Sequence, residues 1–193
     1  MRKHDAPPTG LSQPADKAGA GPIGYTPRPG QVICGDLDMR IDRNGIWHYR
    51  GSPIGRPELV KLFSTVLRRD DAGGYWLITP AEIGRIEVED APFLAVELMR
   101  DGSGRDQRLS LRTNVGKIVT VDGDHPIRID TAQGSGEPRP YVVMDGGVEA
   151  RLARAVFYEL VDIGHQQDLG GETLFGVWSG GAFFALGRLE DDA

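Results

Sequence analysis

The chain has few of the residues that covalent cross-links and metal centres require. Cys34 is the only cysteine among 193 residues, which excludes an internal disulfide and leaves no cysteine pair for a zinc site. We interpret Cys34 as a small buried residue and not as a redox-sensing thiol, because its acidic neighbours Asp36 and Asp38 do not favour thiolate chemistry. With only four histidines, few side chains are available as general bases near neutral pH.

Long apolar runs and an excess of positive charge are also absent. No run approaches the roughly eighteen apolar residues of a membrane span, and residues 1–8 (MRKHDAPP) lack the apolar core of a signal peptide. We therefore expect a cytoplasmic protein that does not associate with a membrane. The net charge of −6 argues against broad binding to duplex DNA, but it leaves open a nucleotide or a short single strand held in a local basic pocket.

Motifs for catalysis are missing as well. The chain has no lysine-containing phosphate-binding loop and no Gly-x-Gly-x-x-Gly between a strand and a helix. Ser179 lies within a predicted strand and not at the strand-to-helix turn that exposes a nucleophile. Asp36, Asp38 and Asp42 alternate, which on a strand places them on one face, where carboxylates can bind Mg²⁺ or Ca²⁺. Because Arg40 lies between these carboxylates and favours ion pairs with them, we expect no metal site. Because the catalytic and phosphate-binding motifs are missing, we also expect no catalytic residue and no cofactor.

What the chain does contain is a repeat. Residues 39–42 (MRID) and 126–130 (PIRID) each open a predicted strand. Each is followed by a Gly- and Pro-rich turn region, by one amphipathic helix and by a strand with a tryptophan. The predicted helices are residues 57–69 and 148–163, and the predicted tryptophan strands are residues 75–79 and 175–179. This order predicts a divergent duplication with a cleft between its copies, and such clefts are where ligands tend to bind.

Composition and turn chemistry divide the chain into three segments. Residues 1–31 are rich in Pro and Gly and predict an extended or disordered arm. Residues 32–90 form the first unit, and residues 91–193 form the second, which gains three strands before its copy of the repeat. Turn sequences such as Asn44-Gly45, which suits a type I′ hairpin, predict antiparallel sheets.

The predicted fold class is α+β. It consists of two β-rich units from an internal duplication, each an antiparallel sheet with one packed helix. The second unit is predicted to be barrel-like, with a superficial likeness to a pleckstrin-homology domain.

Several motifs are long enough to resemble a known family. Residues 34–41 (CGDLDMRI), 75–80 (YWLITP) and 88–98 (VEDAPFLAVEL) are similar to a bacterial family of domains of unknown function, and further matches lie at residues 47–67, 112–114, 125–126, 140–141, 154–161 and 176–179. The resemblance covers about residues 34–187. It implies a duplicated α+β core with a pleckstrin-homology-like second domain. It also implies a site at the domain interface for a nucleotide-like or nucleic-acid-based ligand, and a role in signalling or stress response.

Arginines, amides and aromatic side chains are the remaining candidates for ligand contacts. Arginine forks bind phosphate, amides bind the edge of a base, and aromatic rings stack on its face. The candidates are Arg56 at the start of the first helix, Arg112 and Asn114 at the end of a strand, Trp47, Tyr75 and Tyr141 as stacking surfaces, and Asp90 in the hinge between the units. The structural alternative is that the aromatic residues are core and that the arginines pair with acids such as Asp90 and Glu97.

Three hypotheses follow for the function. The first is a non-enzymatic, ligand-binding regulatory module that holds a nucleotide-like or nucleic-acid-based ligand between its two units. The second is a protein-interaction adaptor without a small-molecule ligand, which binds a partner protein or a second copy of itself through a sheet edge. The third is an enzyme that uses Asp36, Asp38 and a metal, and it is the least favoured of the three.

Overall fold

The computed structural model of the protein describes residues 27–188 with the exception of residues 133 and 135. Most of the predicted arm, residues 1–26, lies outside the described residues. The part of the arm that is described makes a tight turn directly before the first strand. This turn is closed by a hydrogen bond of 3.0 Å from the Gln31 amide to the Arg28 carbonyl.

The first unit contains one six-stranded sheet and one helix. Its elements are β1 (Val32–Ile41), β2 (Trp47–Tyr49), β3 (Ser52–Pro53), α1 (Pro57–Val66), β4 (Leu67–Arg69), β5 (Tyr75–Ile78) and β6 (Glu82–Val88). The strands form two antiparallel meanders, β1-β2-β3 and β4-β5-β6, which join where β1 and β6 pair in parallel. The order in the sheet is β3-β2-β1-β6-β5-β4.

The second unit contains a six-stranded sheet, a helix and a separate three-stranded sheet. Its elements are β7 (Phe93–Asp101), β8 (Arg108–Thr113), β9 (Ile118–Thr120), β10 (Ile127–Thr131), β11 (Pro138–Val143), β12 (Glu149–Leu152), α2 (Arg154–Asp162), β13 (His165–Leu169), β14 (Glu172–Ser179) and β15 (Ala182–Arg188). The larger sheet has the order β10-β11-β12-β7-β8-β9, and the smaller sheet is the meander β13-β14-β15.

The order of elements confirms the predicted duplication. A three-stranded meander, a helix and a second three-stranded meander occur twice, first from β1 to β6 and again from β10 to β15. Trp76 and Trp178 lie on β5 and β14, the middle strands of the second meander in each copy. Strands β7, β8 and β9 are the three predicted additional strands. The copies differ in pairing, because β1 pairs with β6 whereas β10 packs beside β15 without forming a ladder.

The α+β class with two β-rich units is confirmed, but several local predictions are wrong. The larger sheets are mixed, since β1 pairs with β6 and β7 pairs with β12 in parallel. The second helix begins at Arg154 and not at residue 148, because residues 149–152 form a strand. Val148, Ala150 and Leu152 are all buried, which is the period-two pattern of a strand. The first helix, predicted to end at residue 69, ends at Val66, and the three residues after it form β4. Cys34, predicted to be buried, is exposed.

The hairpin between β1 and β2 also differs from its prediction. Gly45 has a φ of +72°, whereas Asn44 does not have a positive φ, so the turn is not of type I′. The Gly45 amide donates to the Asp42 carbonyl, and the Asp42 side chain accepts hydrogen bonds from the Asn44 and Ile46 amides. This is the pattern of a turn in which one glycine in the left-handed region ends the loop.

One continuous hydrophobic core runs through both units. It includes the fully buried residues Ile41 and Leu67 of the first unit and Phe93, Leu111 and Leu160 of the second. Neither helix in the described part of the chain is long and apolar enough to cross a membrane.

A buried hydroxyl fastens the small sheet to the large sheet of the second unit. Ser179 on β14 donates to the Val121 carbonyl at 2.6 Å and accepts from the Leu109 amide at 3.0 Å. The hydroxyl therefore satisfies two buried backbone groups, which is a structural role and not that of a nucleophile.

Gly176 on β14 and Gly187 on β15 form a matched pair that tests how tightly the small sheet is packed. A methyl group at Gly176 would lie 2.2 Å from the Phe184 carbonyl oxygen, whereas one at Gly187 meets no atom within 4 Å. We expect Gly176→Ala to destabilise the protein by about 1–3 kcal/mol or more, the range of core overpacking, and Gly187→Ala to leave stability nearly unchanged. Urea unfolding followed by tryptophan fluorescence measures both. Equal midpoints for the two variants would contradict this packing.

Candidate functional site

Residues from both units line a groove at their boundary, which we call the inter-unit groove. Its volume is about 270 Å³. The first unit contributes Gly45, Ile46, Trp47, Ile54, Gly55, Pro57, Val60 and Lys61, and the second unit contributes Asn114 and Val115 from the turn between β8 and β9. The groove therefore lies between the β1–β2 hairpin, the start of α1 and the β8–β9 turn.

The amide of Asn114 holds the two walls of the groove together. Its Oδ1 atom accepts a hydrogen bond from the Leu94 amide at 3.1 Å, and its Nδ2 atom donates to the Gly45 carbonyl at 3.4 Å. A Cβ atom at Gly45 would lie 2.9 Å from Asn114 Nδ2. Glycine is therefore required at this position both for its positive φ and for the close approach of the second unit.

Trp47 forms part of the groove wall and has an unsatisfied donor. Its side chain is only 2% exposed, and its ring stacks on Phe63 of α1 with 6.2 Å between ring centroids and 19° between ring planes. The indole Nε1 is buried and has no hydrogen-bond partner among the residues that the structure describes. Buried tryptophan N–H groups usually have an acceptor, so this donor requires an explanation.

The start of α1 brings positive charge to the same groove. Arg56 is the N-cap residue, and its side chain makes no capping hydrogen bond. Pro57 at the first helical position has no amide hydrogen, and the Leu59 and Val60 amides already donate to the Arg56 carbonyl. The helix dipole and the Glu58 amide remain at this end. Arg56 and Lys61 are exposed and form no ion pair within the described part of the chain.

Lys117 forms a second contact between the β8–β9 turn and α1. Its Nζ atom donates to the Ser64 carbonyl at 2.7 Å and lies 5.0 Å from the centre of the Phe93 ring. Carbonyls in the last turn of a helix have no partner within the helix, so the lysine satisfies one of them. Burial, and then the nearby Arg68, lower the pKa of Lys117.

The carboxylate of Asp90 connects the hinge to the second unit. It accepts hydrogen bonds from the Tyr141 hydroxyl at 2.7 Å and from Arg151 Nη1 at 2.9 Å. Arg151 also donates through Nη2 to the Arg43 carbonyl of the first unit at 2.8 Å. We call these four residues the hinge network, because they join the β1–β2 hairpin, the hinge, β11 and β12.

A second set of ion pairs lies beside the hinge network. Glu149 on β12 accepts two hydrogen bonds from Arg128, from Nε at 2.9 Å and from Nη2 at 3.2 Å. It also lies 3.5 Å from Arg69 of the first unit. The guanidinium groups of Arg128 and Arg69 lie over the rings of Tyr141 and Tyr75, at 4.7 and 5.6 Å from the ring centroids.

The seven predicted ligand contacts fall in three places. Trp47 and Asn114 line the inter-unit groove, and Arg56 lies between two residues that line it. Tyr75, Asp90 and Tyr141 belong to the ion-pair and hydrogen-bond sets at the hinge, where both tyrosines are buried. Arg112 lies on β8 and pairs with Glu97 at 2.9 Å. The structure thus brings three of the seven together, and the ligand-binding role of all seven stays a prediction.

Eight of the ten residues that line the groove were not predicted as ligand contacts, among them Ile46, Lys61 and Val115. Ile46 follows the hairpin turn directly, and Lys61 lies one helical turn after Pro57, which places it on the same face of the helix. The four-residue spacing of Pro57 and Lys61 was therefore a sequence signal that both residues lie on one face of the helix. No comparable signal identified Val115, because nothing in its local sequence shows that the β8–β9 turn reaches the first unit.

The alternating carboxylates of β1 do not form a metal site. Among the residues described, no group of three His, Cys, Asp or Glu side chains is placed to hold a metal ion. Asp42 lies beyond the end of the strand, where its carboxylate accepts two backbone amides and contacts His48 Nε2 at 3.2 Å. The backbone of β1 also bulges between Asp36 and Arg40, which interrupts the alternation on which a common face depends.

Comparisons with known proteins agree with the two-unit architecture. Residues 28–91 match the N-terminal domain and residues 92–186 the C-terminal domain of a family of unknown function, DUF1285. A crystal structure of a DUF1285 family protein from Silicibacter pomeroyi DSS-3 has a TM-score of 0.76 and 42% identity, over 84% of this chain and 88% of that chain. Another, from Shewanella baltica OS155, has a TM-score of 0.53 and 29% identity, over 66% of this chain and 91% of that chain. A search of curated proteins found no match.

Tyr141 makes the hinge network sensitive to alkaline pH. Burial, and then the hydrogen bond to Asp90, raise the pKa of Tyr141 to about 12. An unfolded tyrosine ionises at about 10, so the folded state binds the proton more tightly. The stabilisation is complete below a pH of about 10 and is lost as the pH rises towards 12.

We therefore expect the free energy of unfolding in urea to fall over this pH range, and to fall less steeply in Tyr141→Phe. Tyr75, whose pKa burial also raises, is present in both proteins and contributes equally. Parallel pH profiles for the two proteins would show that Tyr141 is not the group responsible.

Proposed function

The chain belongs to the DUF1285 family, and we propose that it is a non-enzymatic module that binds an anionic, nucleotide-like ligand in the inter-unit groove. The observation that carries the proposal is the buried, unpartnered Nε1 donor of Trp47 in the groove wall. A role in signalling or stress response would follow from a ligand that contacts both units at once and so stabilises one arrangement of them.

The Trp47 donor favours a ligand with hydrogen-bond acceptors. A buried donor without a partner destabilises a protein by about 1–3 kcal/mol. Because Nε1 is buried, the indole must tilt towards the groove for a phosphate oxygen or a base carbonyl to reach it. The hydrogen bond formed then offsets part of the cost of the unpaired donor. The Asn114 amide lies on the opposite wall, where Nδ2 donates to the Gly45 carbonyl at 3.4 Å. The Nδ2 group carries a second N–H, which can donate to a ligand while the bond to Gly45 is kept.

Charge favours an anion at the same place. Arg56 and Lys61 each contribute one positive charge, and Glu58 in the first turn contributes one negative charge, which leaves a net charge of +1 at the start of α1. The positive end of the helix dipole adds to this. The groove is slightly smaller than the roughly 300–1,000 Å³ of most ligand pockets, so it fits one moiety of a nucleotide, such as the phosphate, while the rest lies on the surface.

The chemistry of the lining favours binding over catalysis. Among the described residues that line the groove there is no serine, cysteine, histidine or carboxylate. Of these described residues, Lys61 is the one whose side chain could act as a nucleophile or a base, and no acid or base partner for it lines the groove. We therefore assign Lys61 to binding an anion.

A thermal-shift screen with mononucleotides, cyclic dinucleotides and short RNA and DNA oligomers tests the proposal. A compound at a hundred times its Kd adds about 2.7 kcal/mol of stability, which raises the Tm of a domain of this size by several degrees. For the best compound we expect Lys61→Gln to raise the Kd at least tenfold, because it removes a cation at the groove. Arg100→Gln, which removes an exposed arginine on β7, serves as the charge-matched control and should bind as the wild type does.

Trp47→Phe tests the indole donor itself. The variant keeps an aromatic ring against Phe63 but has no N–H, so we expect it to lose affinity for the same compound while it still unfolds cooperatively. Unchanged affinity in both Lys61→Gln and Trp47→Phe would place the ligand elsewhere. A flat screen with all compounds would overturn the proposal and favour the adaptor hypothesis.

The edge of β1 supports the adaptor as a second candidate function. In the described part of the chain, β2 covers only Met39–Ile41 of this edge, so residues 32–37 have no strand partner on that side. Val32 and Ile33 are 60% and 43% exposed. An uncovered apolar edge of this kind pairs with an added strand, and a second copy of the chain can supply one.

Self-association through this edge can be measured by sedimentation equilibrium over a range of concentrations. We expect the wild type to dimerise and Ile33→Lys to remain monomeric at the same concentrations, because a charge on the edge opposes strand addition. The control is Ile118→Lys, which places the same charge at an exposed position on β9 and should dimerise as the wild type does. A wild type that is monomeric throughout would exclude self-association.

A further inference from the structure

A second and larger cleft lies on the first unit, and we propose that it binds a small zwitterion, a molecule such as a short peptide that carries both an ammonium and a carboxylate group. Its volume is about 630 Å³, and it is lined by Asp36, Asp38, Met39, Arg40, Arg50, Gly51, Arg85, Ile86 and Glu87. We call it the β1–β6 cleft. It shares no lining residue with the inter-unit groove, so the two sites are independent.

A bulge in β1 creates the cleft. Asp36 lies opposite Arg85 and Arg40 lies opposite Glu87, so β1 takes four steps where β6 takes two. The two extra residues push the backbone of β1 out of the ladder. The Asp38 carbonyl in the bulge is held by the Arg50 amide at 2.9 Å, which fixes the β2–β3 turn as the third wall.

Backbone strain is concentrated in this wall. Asp38 and Arg50 have φ values of +51° and +49°, and they are the only non-glycine residues with positive φ in the described part of the chain. Such residues destabilise a fold by roughly 1–3 kcal/mol each and cluster at functional sites. Both lie in the wall of one cleft and contact each other, which singles out this cleft on the molecule.

Five charged side chains in the cleft are not neutralised by ion pairs. Within the described residues, no ion pair involves Asp36, Asp38, Arg50, Arg85 or Glu87, whereas Arg40 is held by Glu89. Arg50 lies over the ring of its neighbour Tyr49. All five are exposed, so they reach solvent and remain available to a ligand.

The two signs of charge define the class of ligand. A guanidinium group binds a carboxylate through two parallel hydrogen bonds, which Arg50 and Arg85 offer. The three carboxylates are acceptors for the three donors of an ammonium group. Together they carry one net negative charge, which disfavours a nucleotide or another polyanion, because a polyanion would meet like charges in the cleft. A molecule with one charge of each sign satisfies both sets.

The size of the cleft favours a short peptide over a single ion. Its volume of about 630 Å³ lies within the roughly 300–1,000 Å³ of small-molecule sites. A peptide with free termini presents an ammonium and a carboxylate several bonds apart. That separation suits charged groups that lie on two strands and a turn.

Triglycine and its two blocked derivatives test the proposal on the full chain. Isothermal titration calorimetry at low ionic strength should show binding of triglycine, and N-acetyl-triglycine and triglycine amide should each bind at least tenfold more weakly, because each lacks one charge. In heteronuclear NMR spectra, triglycine should shift the amide signals of Asp38 and Arg50. Equal affinity for all three compounds, or no binding at millimolar concentration, would overturn the proposal.

Variants of the cleft separate its two halves. Asp38→Asn removes the negative charge but keeps a residue that tolerates positive φ, so the fold is retained, and Arg85→Gln removes a positive charge from β6. We expect both to weaken triglycine binding at least tenfold, with Arg100→Gln on the second unit as the control that binds as the wild type does. Binding at wild-type affinity in both cleft variants would exclude this site.

Discussion

The amide of Asn114 sets the distance between the two units. It bonds to β7 through Oδ1 and to the β1–β2 hairpin through Nδ2, so one side chain spans the boundary. It reaches the hairpin only because Gly45 has no Cβ atom. The same turn provides Lys117, which bonds to the last turn of α1, and Val115, which lines the groove. The inter-unit groove therefore exists because a turn of the second unit docks on the first without filling the space beside it.

The two candidate sites have different physical origins. The inter-unit groove results from incomplete contact between two copies of a duplicated fold, and its walls are mostly apolar with cations at one end. The β1–β6 cleft results from two extra residues within a single strand, and its walls carry charges of both signs. The hinge network lies at neither site. It stabilises the boundary, because Arg151 contacts both Asp90 and the Arg43 carbonyl.

The sequence predicted the repeat well because repeated order is a local property. Turn sequences, one amphipathic helix and one tryptophan strand per copy are each visible within short windows. The parallel pairing of β1 with β6 was not predictable in this way, because it joins residues about fifty positions apart and leaves no local signal. The start of α2 was misplaced because Val148 and Leu152 fit both a helical and a strand period.

Prediction of the site was limited in the same way, because residue type is visible in the sequence whereas contacts between distant residues are not. Trp47 and Asn114 were found from residue type, and both line the groove. Tyr75, Tyr141 and Asp90 have the same chemistry, but the fold places them in the hinge contacts. Residue type alone does not reveal which aromatic ring is covered by an arginine and which has an unpaired donor. The cleft at Asp38 and Arg50 depends on a bulge whose cost is visible only in backbone angles.

The link between β9 and β10 has a consequence for the shape of the second unit. These strands are the two outer strands of its six-stranded sheet, and a flat sheet of six strands is about 24 Å wide, since neighbouring strands lie about 4.8 Å apart. Only residues 121–126 connect them, and this link is folded back by a hydrogen bond between the Asp122 amide and the His125 carbonyl. A link so short cannot cross a flat sheet, so the sheet must roll until its two margins approach each other. Rolling brings the unpaired edges of β9 and β10 towards each other, which leaves less room for a strand of another molecule to add at either edge.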